Sequence, residues 1–131
     1  MKKIASCALA IGVLGTAVVM ADDAAEFMKN TYPAQAVDAA VADMMALQGE
    51  DAALSAKTRE LVSLAVAAQV PCDYCVYFHT KAAKAAGATD AEVKEAVAAA
   101  GQVRKWSTIL NGTAYDHEAF RKEVDAMFSG K

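Results

Sequence analysis

An all-α fold is predicted by three features of the sequence. Alanine is abundant and β-branched residues occur only in short runs, no stretch alternates apolar and polar residues as strands do, and apolar residues recur at helical spacing throughout. The part expected to fold is 22–131. Met1-Lys2-Lys3 is a short basic start, Ile4 to Met20 is almost unbroken apolar sequence, and Ala21-Asp22-Asp23 follows at once. That order is the pattern of a secretory signal peptide. Val19 and Ala21 suit the −3 and −1 positions of a cleavage site, so residues 1–21 are read as a cleaved leader that exports a single helical domain to the periplasm. The alternative is an uncleaved anchor, although the run spans a bilayer only if every residue contributes. Cys7 precedes the apolar run, whereas a lipoprotein cysteine follows it; it is assigned to the leader.

The helices follow in order. A short one is expected around Ala24 to Lys29. The next covers Pro33 to Leu47, with Val37, Val41, Met44 and Met45 on one face and Gly49 just past its end. Ser55 is a good N-cap for a helix running to Gln69, with Leu61, Leu64, Ala65 and Ala68 as its stripe. Val70-Pro71 ends it, because a residue before proline avoids helical geometry. A further helix starts near Cys72 and ends at Gly87. Thr89-Asp90-Ala91-Glu92 is a capping box opening a helix that continues through Trp106 to Leu110, with Asn111-Gly112 as the stop. A last helix fits Ala114 to Phe128. The many alanines, with Ala96, Ala100 and Gly101 in one helix, permit close helix approach, and so much apolar sequence in a small chain predicts burial between subunits of a homo-oligomer.

Charge and cysteine usage exclude several roles. From Asp22 onward the chain has eleven basic and sixteen acidic residues, a formal charge of −5. A nucleic-acid partner would call for a basic stripe, and adhesion to anionic lipid for a basic surface; neither partner, nor stable membrane association after cleavage, is expected. The two cysteines after the leader, Cys72 and Cys75, would be exported to where disulfides persist. A bridge closing so short a loop staples little of the fold, which weakens a structural role and strengthens a redox one.

Cys72-Asp73-Tyr74-Cys75 lies at an expected helix N-terminus, where the dipole and free N–H groups stabilise a thiolate. Three-residue spacing on a helix puts both sulfurs on one face. His79 is four residues beyond Cys75 on that face and can act as a base toward its thiol or as an acid toward a leaving group. Redox chemistry, metal binding by two thiolates and an imidazole, and an inert buried pair all fit this cluster. A closed zinc site would need a fourth ligand, and His117 is the only other histidine. Glu60 shares a helix face with Leu64, Ala67 and Ala68, a costly position unless the carboxylate is paired or protonated. The simpler reading turns it to water beside Lys57 and Arg59. His117, Met44, Met45, Trp106 and the Arg104-Lys105 pair read respectively as a solvated residue, core filler, a packing contact and a solvated face.

Glu60, eleven residues, Cys72-x-x-Cys75, three residues and His79 together resemble the active-site motif of the AhpD-like alkylhydroperoxidases, within the carboxymuconolactone decarboxylase family. The resemblance covers about Glu60 to Gly112, with the Lys57-Thr58-Arg59-Glu60-Leu61 entry, the Gly87-Ala88-Thr89 turn and the Glu92, Glu95, Ala96 pattern. It implies a compact helical domain of about five to six helices that oligomerises. It implies that Cys75 attacks a hydroperoxide, Cys72 closes the disulfide, and Glu60 and His79 form a proton relay. No cofactor is implied beyond the redox-active Cys72–Cys75 disulfide, and an external dithiol must reduce it. Tyr74 departs from the family's better studied peroxidases, which carry a histidine there. Its hydroxyl can support the site by hydrogen bonding, but with an ordinary pKa of about 10 it is a poor base. The alternatives are a thiol–disulfide oxidoreductase with little peroxidase activity, a non-redox decarboxylase-like domain and a metal-binding module.

Overall fold

The computed structural model describes residues 24–49 and 51–130; the expected leader, its cleavage point and Cys7 lie outside them. Among the described residues the secondary structure is helical throughout, with six α-helices and one short 3-10 turn, as the all-α reading requires. None of these helices is long and apolar enough to cross a membrane. The chain divides after Ala52 into two compact units.

The first unit contains α1 (Glu26–Thr31), the 3-10 turn Ala34–Ala36 and α2 (Val37–Ala46). The single helix expected over 33–47 therefore begins as a tighter turn, with Ala36 N–H donating to the Pro33 carbonyl at 2.8 Å. Proline suits that place, since its missing N–H has no partner to lose at a helix start. Val37 and Val41 lie four residues apart and bury one face of α2 against Met28 and Ala24, with Ala40 and Met44 packed alongside. Met45, placed on that face by the sequence, is 42% exposed, because it follows Met44 by one residue and so points about 100° further round the helix.

The second unit contains α3 (Ala56–Gln69), α4 (Asp73–Ala85), α5 (Asp90–Gly112) and α6 (His117–Phe128). The Ser55 hydroxyl accepts from Thr58 N–H at 3.2 Å, the cap expected for α3. α3 is the central element and packs against both α4 and α5. Leu64 is 1% exposed and Ala67 is buried one turn on; full burial of a leucine is worth roughly 1.5–3 kcal/mol. α4 returns antiparallel to α3, so that Glu60 meets His79 while Cys72 N–H bonds the Ala67 carbonyl. α5 runs parallel to α3 and is tied to it at both ends: Lys57 to Glu92, then Gln69 Nε2 to the Ala100 carbonyl at 2.7 Å and Arg104 to Gln69. Arg104, read as part of a solvated face, thus clamps the end of α3.

The turn from α4 to α5 needs a glycine: Gly87 has φ +86°, and Ala88 N–H reaches back to the Ala83 carbonyl. The capping box then forms as expected, with Glu92 N–H donating to Thr89 Oγ1 and Thr89 N–H to Glu92 Oε2. α5 runs to Gly112, and the reversal falls at Ala114, with φ 49°. α6 starts three residues later than expected because Asp116 accepts from Ala119 N–H at 2.8 Å and sets the cap there.

The Lys57–Glu92 pair makes a prediction for acid pH. The Lys57 ammonium at 2.8 Å, then the Thr89 N–H and hydroxyl, lower the Glu92 carboxyl from 4.5 to about 2. A carboxyl depressed on folding contributes stability that is fully present above its unfolded pKa and is lost as pH falls through the folded value. The window is therefore about pH 4.5 down to about 2. Lys57→Met should move the Glu92 side-chain carbon titration toward 4.5 by NMR; an unchanged titration would show that the Thr89 bonds hold it alone.

Candidate redox site

Both cysteines stand at the start of α4. Cys72 is its N-cap, and its Sγ accepts from the Cys75 N–H at 3.2 Å. The two are joined as a disulfide, with Cα atoms 5.3 Å apart. Val70 and Pro71 keep the preceding turn short, and the bonds from Cys72 N–H to Ala67 and from Arg104 to the Gln69 carbonyl hold that turn in place.

Glu60 is buried, at 7% exposure, on the face of α3 turned to α4. Its Oε2 lies 2.7 Å from His79 Nδ1. The alternative of a solvent-facing carboxylate is thereby removed: its apolar stripe is tolerated because an imidazole from the next helix satisfies it. Arg59 also turns inward. Its side chain is 18% exposed, Nη1 donates to the Leu54 carbonyl at 3.2 Å, and Nε lies 4.0 Å from Glu60 Oε1. Phe78 sets an edge against the His79 ring, with centroids 5.2 Å apart.

Cys72, Cys75 and His79 open onto one hollow of about 320 Å³, whose other walls are Val62, Ser63, Val66, Ala67 and Val70. Glu60 does not line this hollow and reaches it only through its bond to His79. His79 is the only ionisable wall side chain apart from the cysteines. Sequence reasoning missed the valines, although Val62, Val66 and Val70 recur every four residues along one face. Tyr74 does not join the hollow and is 91% exposed. His117 is exposed at the first position of α6, in a separate hollow with Leu110, Asn111, Ala114, Tyr115 and Phe120. Trp106 is 52% exposed. Among the described residues no group of three or more His, Cys, Asp or Glu side chains is arranged to hold a metal ion.

The sequence profile of the carboxymuconolactone decarboxylase family matches residues 34–118, well over half of the chain. The chain belongs to the carboxymuconolactone decarboxylase family. This family includes the AhpD-like proteins whose motif the sequence resembles, and it contains both peroxidases and decarboxylases. One curated relative is "Uncharacterized protein 4 in cox locus" of Paracoccus denitrificans, 36% identical over 67 residues, which is 51% of this chain. The chain spans about half the length of that relative, 55%. In this carboxymuconolactone decarboxylase family member the cysteine pair stands at the start of α4, and the buried glutamate of α3 bonds His79, which shares the hollow of the two cysteines.

Proposed function

We propose that the protein is a thiol-dependent peroxidase of the AhpD-like type, reducing hydroperoxides through a Cys72–Cys75 dithiol/disulfide cycle. The observation that carries this reading is the 2.7 Å bond from Glu60 to His79 behind a disulfide that shares one hollow with that histidine. A buried carboxylate oriented on an imidazole beside a thiol is the arrangement that activates a cysteine nucleophile. In the reduced protein, Cys75 thiolate attacks the peroxide oxygen, forming S–O and breaking O–O; the alkoxide takes a proton and leaves as alcohol. Cys72 then attacks the sulfenic sulfur, water departs, and the disulfide closes. An external dithiol restores both thiols and is itself oxidised to a disulfide. The valine walls favour an organic hydroperoxide with an apolar chain over hydrogen peroxide.

The test is titration of free thiols in the reduced mature protein before and after one equivalent of an alkyl hydroperoxide. Loss of both thiols, with sulfenic acid trapped on Cys75 in Cys72→Ser, is expected. A Cys75 that peroxide leaves unmodified would sink the peroxidase reading. Thiol–disulfide exchange with little peroxide chemistry is the second reading, favoured by Tyr74: where a histidine could supply a base, an exposed tyrosine stands instead. Retention of exchange with a small disulfide when peroxide has no effect would select it.

Export by the leader and self-association belong to the same proposal. No residue of α5 beyond Ala100 and none of α6 is buried, while Val103, Trp106 and Ile109 stand exposed at three-residue spacing. Helical segments with so little tertiary support are marginal in water, and a second copy of this chain offers the matching apolar surface. Sedimentation of the mature protein should give a mass above the monomer; a strict monomer at micromolar concentration would contradict it.

A further inference from the structure

Arg59 and Glu60 are consecutive on α3, and consecutive side chains on a helix diverge by about 100°. Arg59 nevertheless folds back toward its neighbour. Its Nε is buried, makes no hydrogen bond and faces Glu60 Oε1 at 4.0 Å, while Nη1 is anchored on the Leu54 carbonyl. A buried donor left without a partner calls for an explanation. The carboxylate therefore has a guanidinium toward one oxygen and the His79 ring on the other.

We propose that Arg59 is a positioning residue that sets the tautomer of His79 by keeping Glu60 ionised. An ionised carboxylate can only accept, so His79 Nδ1 must carry the proton and Nε2 is left with its lone pair, the form that can take a proton from a thiol. A protonated Glu60 would donate to Nδ1 instead and put the ring proton on Nε2, which then cannot serve as a base. Arg59 Nε, 4.0 Å from Glu60 Oε1, puts a positive charge beside the carboxylate on the side away from His79 Nδ1, which meets Oε2. Against this pair stand Arg59 on α3 and, in the hollow shared with His79, Cys72 and Cys75 at the start of α4, whose thiols titrate once reduced; Lys57, also on α3, is paired with Glu92 on α5. Arg59 is thus the cation that faces Glu60, since Lys57 is spent on Glu92. The inference rests on the proposed role of His79 as the base for Cys75, but its first test does not depend on that role.

That test reads the His79 ring nitrogens by NMR in the reduced mature protein at neutral pH. The wild type should show the Nδ1–H tautomer, Arg59→Gln should shift it toward Nε2–H, and Arg59→Lys, which keeps the charge, should restore it. The rate of Cys75 oxidation by an alkyl hydroperoxide should fall about tenfold or more in Arg59→Gln at pH 7, with its pH profile moved to the alkaline side, and recover in Arg59→Lys. A wild-type His79 already in the Nε2–H form overturns the inference whether or not Arg59→Gln folds. So does an unchanged tautomer in a folded Arg59→Gln. If Cys75 proves inert to peroxide while the tautomer follows Arg59, the peroxidase reading fails and the positioning role stands.

Discussion

Replacing Cys75 by serine is expected to abolish peroxide turnover, by at least about 10³-fold, the scale seen when a covalent nucleophile is removed. Serine nearly matches cysteine in size and should leave the start of α4 intact, because the Cys75 backbone N–H that bonds Cys72 Sγ is retained. What disappears is an ionisable sulfur in the hollow it shares with His79. The matching Cys72→Ser variant separates the two sulfurs. It should still consume one equivalent of hydroperoxide, stop at the sulfenic acid and fail to cycle, because no neighbouring thiol is left to expel water. Single-turnover and multiple-turnover peroxide assays read these outcomes side by side. If Cys75→Ser kept turning over peroxide while Cys72→Ser did not, the two roles would have to be exchanged.

Glu60→Gln should slow the reaction of Cys75 by about 10²-fold, at the lower end of what general acid–base assistance contributes. The amide keeps the shape of the side chain and can still meet His79 Nδ1, but in the proposed relay it carries no charge to stabilise an imidazolium formed when the ring takes the thiol proton. Glu60→Ala removes the partner as well. It removes the 2.7 Å hydrogen bond to the half-buried His79 ring, at a cost of about 0.5–1.5 kcal/mol, and leaves Arg59 without the facing carboxylate. Stopped-flow thiol oxidation and thermal unfolding should therefore dissociate: Gln lowers rate more than stability, and Ala lowers both. A Glu60→Gln protein with an unchanged rate would reduce the pair to a structural contact. His79→Gln should be as slow as Glu60→Gln, and the double variant little slower than either, since groups in one relay do not add.

Much of this site is legible in the amino-acid sequence. The cysteine spacing, the position of His79 one turn on, the Ser55 cap and the Thr89–Glu92 capping box are all local patterns, and each forms as the spacing requires. Glu60 was legible only as a question. Helical periodicity placed it on an apolar face, but whether a partner met it there depended on a residue 19 positions away. Arg104 reads from the sequence as part of a solvated face and Arg59 only as a neighbour of Glu60, because nothing in their own segments reveals that one reaches Gln69, 35 residues distant, and the other folds back on Glu60.

The division has a physical origin. By itself the sequence determined the helices and the registers within them, because hydrogen bonds and caps link residues three or four apart and their signals lie next to one another. It also determined that Cys75 and His79 lie one turn apart on one helix, with Cys72 at its start. Only the tertiary structure decided that α3 lies antiparallel to α4 with Glu60 bonded to His79, that α5 braces α3 at both ends, and that Val62 and Val66 of α3, with Val70 at its C-cap, wall the hollow at the disulfide. It also turned Tyr74 outward to water. Those outcomes follow from which apolar faces pack together, a property of several helices at once that no single stretch encodes.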